Sequence, residues 1–290
     1  MFWGAATKYS EVSYKVPVQT AAAILEALHS PACRARMLAM NPLLIAAPIV
    51  VFGAAGFTSY AAVNARSQLF GPTIRQTANP RQLAITFDDG PNPVLTPQLL
   101  DLLARYNAKC TFFVVGKFAR ECPGLVKEIS ARGHILGNHT DSHPNLFFCG
   151  PEETHQELLR CTDAIQQAAW SVPQWFRPPF GYRSPWLSEI VHRQGMRTVI
   201  WMLLPGDWRA KPQEWLNSRL EPIAEHAKAS PSPSRSTGGD ILCLHDGNFR
   251  QQNADRTRTL AALEYWLPRW RDLGLEFVTM NETFGKVVEA

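Results

Sequence analysis

Beyond residue 81 the chain alternates between short apolar runs and longer segments of helical periodicity. Runs of strand character fall at 83–87, 110–115, 135–138, 175–177, 198–202, 241–244 and 276–279, each four or so residues of aliphatic and aromatic side chains bounded by turn formers. Between them, Leu260, Leu263, Leu267, Trp270 and Leu273 recur at helical spacing and Gly274 supplies a stop. Thr96-Pro97 reads as an N-cap followed by proline in the first turn. Seven strands, each separated by a helix-sized segment, predict parallel βα units, and one domain of about 220 residues suits a barrel better than two small sheets. The expected fold class is therefore α/β. In such a barrel the functional groups belong at the C-terminal strand ends, and the Ser/Pro-rich stretch 230–239 reads as a surface loop.

The first part of the chain has a different pattern. Residues 37–65 contain no charge, and their apolar heart is long enough to cross a bilayer, for which about 20 residues suffice. This predicts a transmembrane anchor or signal segment rather than a buried helix, preceded by a short segment 1–36 and followed by a polar connector 66–81 and a domain 82–290. Arg34 and Arg36 before the span are matched by Arg66 and Arg75 after it, so charge asymmetry barely sets its orientation. A start at Met37 or Met40 would make the segment a signal peptide or short anchor. The expected location is a membrane-anchored, extracytoplasmic domain, or a secreted one if the segment is cleaved.

Apolar residues make up 46% of the 290, with 9 Trp and 15 Phe, which excludes a disordered chain. The net charge of +4 is spread along the sequence without a basic run, so no nucleic-acid partner is expected. None of the six cysteines forms a C-x-x-C pair, which excludes a zinc ribbon. Cys110 and Cys243 lie in apolar runs and read as core thiols. Cys122, Cys149 and Cys161 have polar neighbours and would allow one disulfide in an oxidising compartment.

The candidate chemistry sits where strand runs end. Thr86-Phe87-Asp88-Asp89-Gly90-Pro91 presents two adjacent carboxylates, and His139-Thr140-Asp141-Ser142-His143 offers two imidazoles that a helical turn would point the same way. His139, His143 and one of the two aspartates make a ligand set for a divalent ion, leaving the other aspartate to take a proton from water. Either cluster alone has a bland reading, surface histidines or a solvated turn. Arg177-Pro178-Pro179-Phe180-Gly181 holds a guanidinium rigidly enough to orient a carboxylate, and His245 closes the run 241–244 as a candidate general acid.

Taken jointly, Thr-Phe-Asp-Asp-Gly-Pro, His-Thr-x-x-His, Arg-Pro-Pro-Phe-Gly and Leu-His-Asp-Gly resemble, in order, the motifs of the polysaccharide deacetylase family with the NodB homology domain, carbohydrate esterase family 4. The resemblance covers about residues 82–290. It implies a distorted (β/α) barrel of seven or eight parallel strands and an Asp-His-His metal, usually zinc. It further implies Asp88 as base, Asp89, His139 and His143 as ligands, Arg177 as the residue positioning Asp88, and His245 as the acid. The backbone N–H of Phe180 would help hold the oxyanion and Trp208 would form an apolar wall. The implied activity removes N- or O-acetyl groups from a polysaccharide such as chitin oligomers, peptidoglycan or an exopolysaccharide. A carbohydrate-binding protein that has lost turnover and an amidohydrolase of small amides are the rivals.

The chain departs from the family pattern twice. The family's Asp-x-x-Asp-Trp element stands here as Leu204-Pro205-Gly206-Asp207-Trp208, so the acid expected to tune His245 is replaced by Leu204. Without a carboxylate partner His245 should hold its proton poorly at neutral pH and work best below it, unless another acid serves in place of the missing one. Cys243 stands where the family usually has a leucine lining the acetyl pocket, and its smaller side chain would either widen that pocket slightly or merely pack against a larger neighbour.

Overall fold

The structure, a computed structural model, describes residues 42–229 and 238–285. Residues 1–41 and most of the Ser/Pro-rich loop, 230–237, lie outside the described residues. Contacts divide the chain into two units, Met1–Phe57 and Thr58–Ala290. Of the first, only residues 42–57 are described, and they form part of helix α1, Pro42–Val63, 22 residues without a charge and with Pro48 inside it. Val50, Val51, Phe52 and Phe57 on this helix are exposed. No helix is, over its described residues, long and apolar enough to cross a membrane, and the side chains of residues 42–47, 49 and 54 are outside that set.

The second unit contains all seven expected strands: β1 Gln82–Gly90, β2 Thr111–Val114, β3 Ile135–Asn138, β4 Trp175–Phe176, β5 Arg197–Thr198, β6 Ile241–His245 and β7 Glu276–Phe277. Every pairing between them is parallel. The order is β5-β4-β3-β2-β1-β6, with β7 on the lower end of β1. Closure is made by the chain just after β5. Leu203 bridges Leu242 in parallel, the Met202 N–H donates to Ile241 O at 2.9 Å, and the Cys243 N–H donates to Leu203 O at 3.0 Å. A single bridge in place of a full ladder makes this a distorted barrel. Residues of the expected connector also take part, since Ile74 pairs with Val199.

β1 shows how the sequence aims its chemistry. Strand alternation sends Leu83, Ile85 and Phe87 outward into the main core, where they meet Leu99, Leu103, Leu263 and Leu267 of the surrounding helices. Each fully buried side chain of this size contributes about 1.5–3 kcal/mol. The alternate residues, Thr86 and Asp88, therefore face the barrel interior.

Two local expectations are corrected. Thr96 is not the cap of helix α2, Leu95–Arg105. Asn92 Oδ1 accepts the Val94 and Leu95 N–H groups at 2.9 and 3.1 Å, while the Thr96 hydroxyl bonds Asp246. Cys149 and Cys161 are buried despite their polar neighbours in sequence, because helix α5, Pro151–Ala169, turns Cys161 inward where its thiol reaches Val114 O at 3.4 Å. The described cysteines are all free thiols.

Candidate active site

Adjacent residues of a regular strand point to opposite faces, yet Asp88 and Asp89 both reach the barrel mouth. A register shift between Asp88 and Gly90 makes this possible, with Asp89 at φ 69°, in the left-handed region. The two carboxyls then diverge in partner. Asp88 Oδ1 accepts from Arg177 Nη1 at 2.7 Å, and its Oδ2 lies 3.2 Å from Cys243 Sγ. Asp89 Oδ1 faces His139 Nε2 at 3.5 Å and His143 Nε2 at 3.2 Å.

The histidine pair does not sit on a helical turn as the spacing suggested. Thr140 and His143 have φ 65° and 62°, and the tight loop they form after β3 swings both rings toward Asp89. His139 Nδ1 lies 2.7 Å from Arg177 O, so that nitrogen donates its proton and Nε2 is left with a lone pair. The His143 ring is held between aromatic neighbours, stacked on Phe249 at 4.1 Å and edge-on to Phe180 at 4.7 Å. Burial pushes the His143 pKa down and outweighs the pull of Asp89. Burial also pushes Asp89 up, but the two neighbouring histidine rings and the nearby His245 charge overcome it and hold the carboxyl well below its usual range. A neutral His143 ring beside an ionised Asp89 carboxylate is the protonation state that metal binding requires.

These three residues fit a small divalent ion. Metal–ligand bonds of about 2.0–2.2 Å in a tetrahedron set ligands about 3.4 Å apart, and both Nε2–Oδ1 separations match that edge. Asp89 Oδ1, buried, has no hydrogen-bond partner in the protein. A bound cation would supply one.

Arg177 is fully buried, packs its guanidinium over the Phe113 ring at 4.2 Å, and divides Nη1 between Asp88 and the Thr86 hydroxyl, each at 2.7 Å. Across the mouth, at the end of β6, His245 Nδ1 meets Asp207 Oδ1 at 2.9 Å. Asp207 Oδ2 accepts the His245 backbone N–H at 2.8 Å and the Thr259 hydroxyl at 2.8 Å, which locks the carboxylate in place. Leu204 therefore does not leave His245 without an acid: Asp207, three residues on, is the other acid that serves. Burial opposes the charge on His245, but Asp207 more than offsets it, and the pKa rises to about 9. Trp208 stands edge-on to the His245 ring at 4.7 Å.

A cleft of about 320 Å³ joins these groups, lined by Asp88, Asp89, His139, His143 and His245, with Phe180, Tyr182, Trp201, Leu204, Trp208, Asn248, Phe249 and Arg256 around them. Cys243 does not line it. Fully buried one layer below, it contacts Asp88 instead, which corrects its assignment to the pocket wall; Leu204 takes that place. Tyr182, Trp201, Asn248, Phe249 and Arg256 carried no motif by which the sequence could single them out. Phe180 has φ 58° and ψ 2°, so its peptide group turns at the cleft edge.

The polysaccharide deacetylase family model matches residues 75–199. A peptidoglycan-N-acetylglucosamine deacetylase of Bacillus cereus is 37% identical over 205 residues, 70% of this chain and 88% of the relative. A chitooligosaccharide deacetylase of Sinorhizobium fredii is 34% identical over 196 residues, 66% of this chain and 86% of the relative. Among solved structures, a family 4 carbohydrate esterase from Streptomyces lividans in complex with acetate is 26% identical with a TM-score of 0.59, covering 71% of this chain and 96% of that one. A family 4 pseudoenzyme from Bacillus anthracis, 21% identical with a TM-score of 0.63 over 75% of this chain and 70% of its own, shares the fold alone.

Proposed function

The chain belongs to the polysaccharide deacetylase family and is a metal-dependent hydrolase that removes acetyl groups from an N-acetylated glycan; from that premise we propose that Asp88 is its base, His245 its acid, and Asp89, His139 and His143 its cation ligands. The observation that carries this division of labour is the divergence of two adjacent carboxylates. One is turned to a buried arginine and the other to two imidazole nitrogens, in a single cleft.

When bound, a divalent cation, most simply zinc given one carboxylate and two imidazoles, supplies Lewis-acid polarisation of the acetyl carbonyl and acidifies water. Arg177 holds Asp88 Oδ1 and fixes the carboxylate to accept a proton from the attacking water. The Phe180 N–H, at the cleft edge, donates to the carbonyl oxygen as negative charge develops there. His245, protonated at neutral pH through Asp207, gives its proton to the departing amide nitrogen, and acetate and a free amino sugar result. Trp208 and Leu204 supply the apolar wall against the acetyl methyl. Acetate release from chitin oligomers, peptidoglycan and a small acetamide, with and without chelator, tests the reading. Chelator-sensitive release from the glycans supports it, whereas release from the small acetamide alone points to a general amidohydrolase.

We further propose that the charge-free helix α1 holds the catalytic domain on the outer side of a membrane, or serves its export if cleaved. Its lack of any charged residue and its exposed Val50, Val51, Phe52 and Phe57 support this. Recovery of the full chain in the carbonate-washed membrane pellet, or of a shortened chain in the medium, is the expected result; an uncleaved chain in the cytosolic fraction would contradict it.

A further inference from the structure

The turn that carries both histidines is held from outside. Between His139 and His143 the backbone passes through the left-handed region at two non-glycine residues, Thr140 at φ 65° and His143 at φ 62°, a conformation that persists only where the surroundings fix it. Two carbonyls of the turn are taken up at the start of helix α3, Gly116–Glu121: the Gly116 N–H donates to Thr140 O and the Lys117 N–H to Asp141 O, each at 3.0 Å. The N–H groups of the same turn go to one side chain instead.

That side chain is Glu157, which projects from helix α5, is 5% exposed and does not line the cleft. Its Oε2 accepts the Asp141 N–H at 3.0 Å and the Ser142 N–H at 2.8 Å, and its Oε1 accepts the Ser142 hydroxyl at 3.0 Å and Arg160 Nη2 at 2.7 Å. Two successive backbone N–H groups converging on one carboxylate oxygen form an anion-binding nest. The nest lies between the two ligand positions, so whatever fixes it fixes the separation of the two imidazoles. Without an acceptor there, both N–H groups would lose their bonds and the left-handed turn would be free to relax.

We propose that Glu157 is a positioning residue of the cation site, setting the His139–His143 turn in ligating geometry before any ion arrives. The inference rests on the assignment of His139 and His143 as ligands, and it places part of the site's affinity on a helix that touches neither the ion nor the substrate.

The test uses the full chain, stripped with chelator and titrated with Zn2+ against a chromophoric chelator. Glu157→Met is expected to bind the ion roughly 10–100-fold more weakly, as loss of an outer partner of a metal ligand commonly does. Arg160 stays paired with Asp141 in that variant, so its charge is not stranded. Glu157→Gln, whose amide oxygen can accept both N–H groups as Oε2 does, is expected to stay within about a few-fold of native. Ile165→Ala, a core truncation on the same helix, is expected to lower the unfolding midpoint and leave the affinity unchanged. In the stripped native chain the amides of Asp141 and Ser142 are expected to exchange with deuterium far more slowly than exposed loop amides. Native affinity in Glu157→Met, an equal loss in Glu157→Gln or in Ile165→Ala, or free exchange of the two amides overturns the role of Glu157. The exchange measurement needs no variant, so it stands even where Glu157→Met fails to fold. A native chain that takes up no Zn2+ sinks the ligand assignment itself.

Discussion

Asp207→Asn isolates the charge that sets His245. The amide can still accept from Nδ1, so the ring stays near its place, but the negative charge 2.9 Å away is gone. Burial then lowers the imidazole against only the smaller pull of Asp89 and Asp88, and a return from about 9 to the ordinary 6.5 is a change worth roughly 3 kcal/mol. At pH 8 the native ring is about nine-tenths protonated and the variant about one-thirtieth, so kcat/KM should fall roughly thirty-fold there and only a few-fold near pH 5.5. Acetate release measured from pH 5 to 10 reads this directly. The stability sign follows from the same linkage. A folded pKa raised above the ordinary 6.5 stabilises fully below that pH, and the contribution is lost as pH rises through about 9. Denaturant unfolding of the native chain should weaken across that window, and Asp207→Asn should lack the slope. A variant profile that superimposes on the native one would refute the role given to Asp207.

Arg177→Met strands the buried Asp88 carboxylate and should cost about 3–5 kcal/mol of stability as well as turnover; an unfolding midpoint unchanged within error would contradict the pairing. Gly247→Ala places a Cβ 2.2 Å from Asp89 O, and the displaced ligand should weaken cation affinity by about 10–100-fold in calorimetric titration. Unchanged affinity would show that the loop gives way without moving Asp89. Cys243→Ser keeps a donor to Asp88 Oδ2 and should stay near native turnover, whereas Cys243→Ala loses it and should slow several-fold; equal rates in the two would remove the thiol from the account.

The strands were legible because each is a compact apolar run between turn formers, and β1 alternates so cleanly that Asp88 could be aimed inward from residues 83–87 alone. The carboxylate pair and the histidine pair were legible as clusters. Their geometry was not, because the φ values of Asp89, Thr140 and His143 are backbone conformations that composition does not encode. The helical turn expected for His139 and His143 failed for this reason. Asp207 was visible as a residue but not as the partner of His245, since a pairing across 38 positions depends on how the segment after β5 closes the barrel against β6. The same closure buries Cys243 and gives the cleft wall to Leu204. Arg256 and Phe249 sit in loops whose sequence has no periodicity to read, and only the fold brings them to the cleft.

The central claim is that one aspartate of the pair holds a cation and its neighbour moves a proton. Metal content and acetate release measured side by side on Asp88→Asn and Asp89→Asn test it most directly. Asp88→Asn should retain about one divalent ion per chain yet release acetate at least about a hundred-fold more slowly, as expected for loss of a general base, while Asp89→Asn should lose the ion and the activity together. An Asp89→Asn protein that still carries the ion, or an Asp88→Asn protein that turns over at the native rate, would contradict the account.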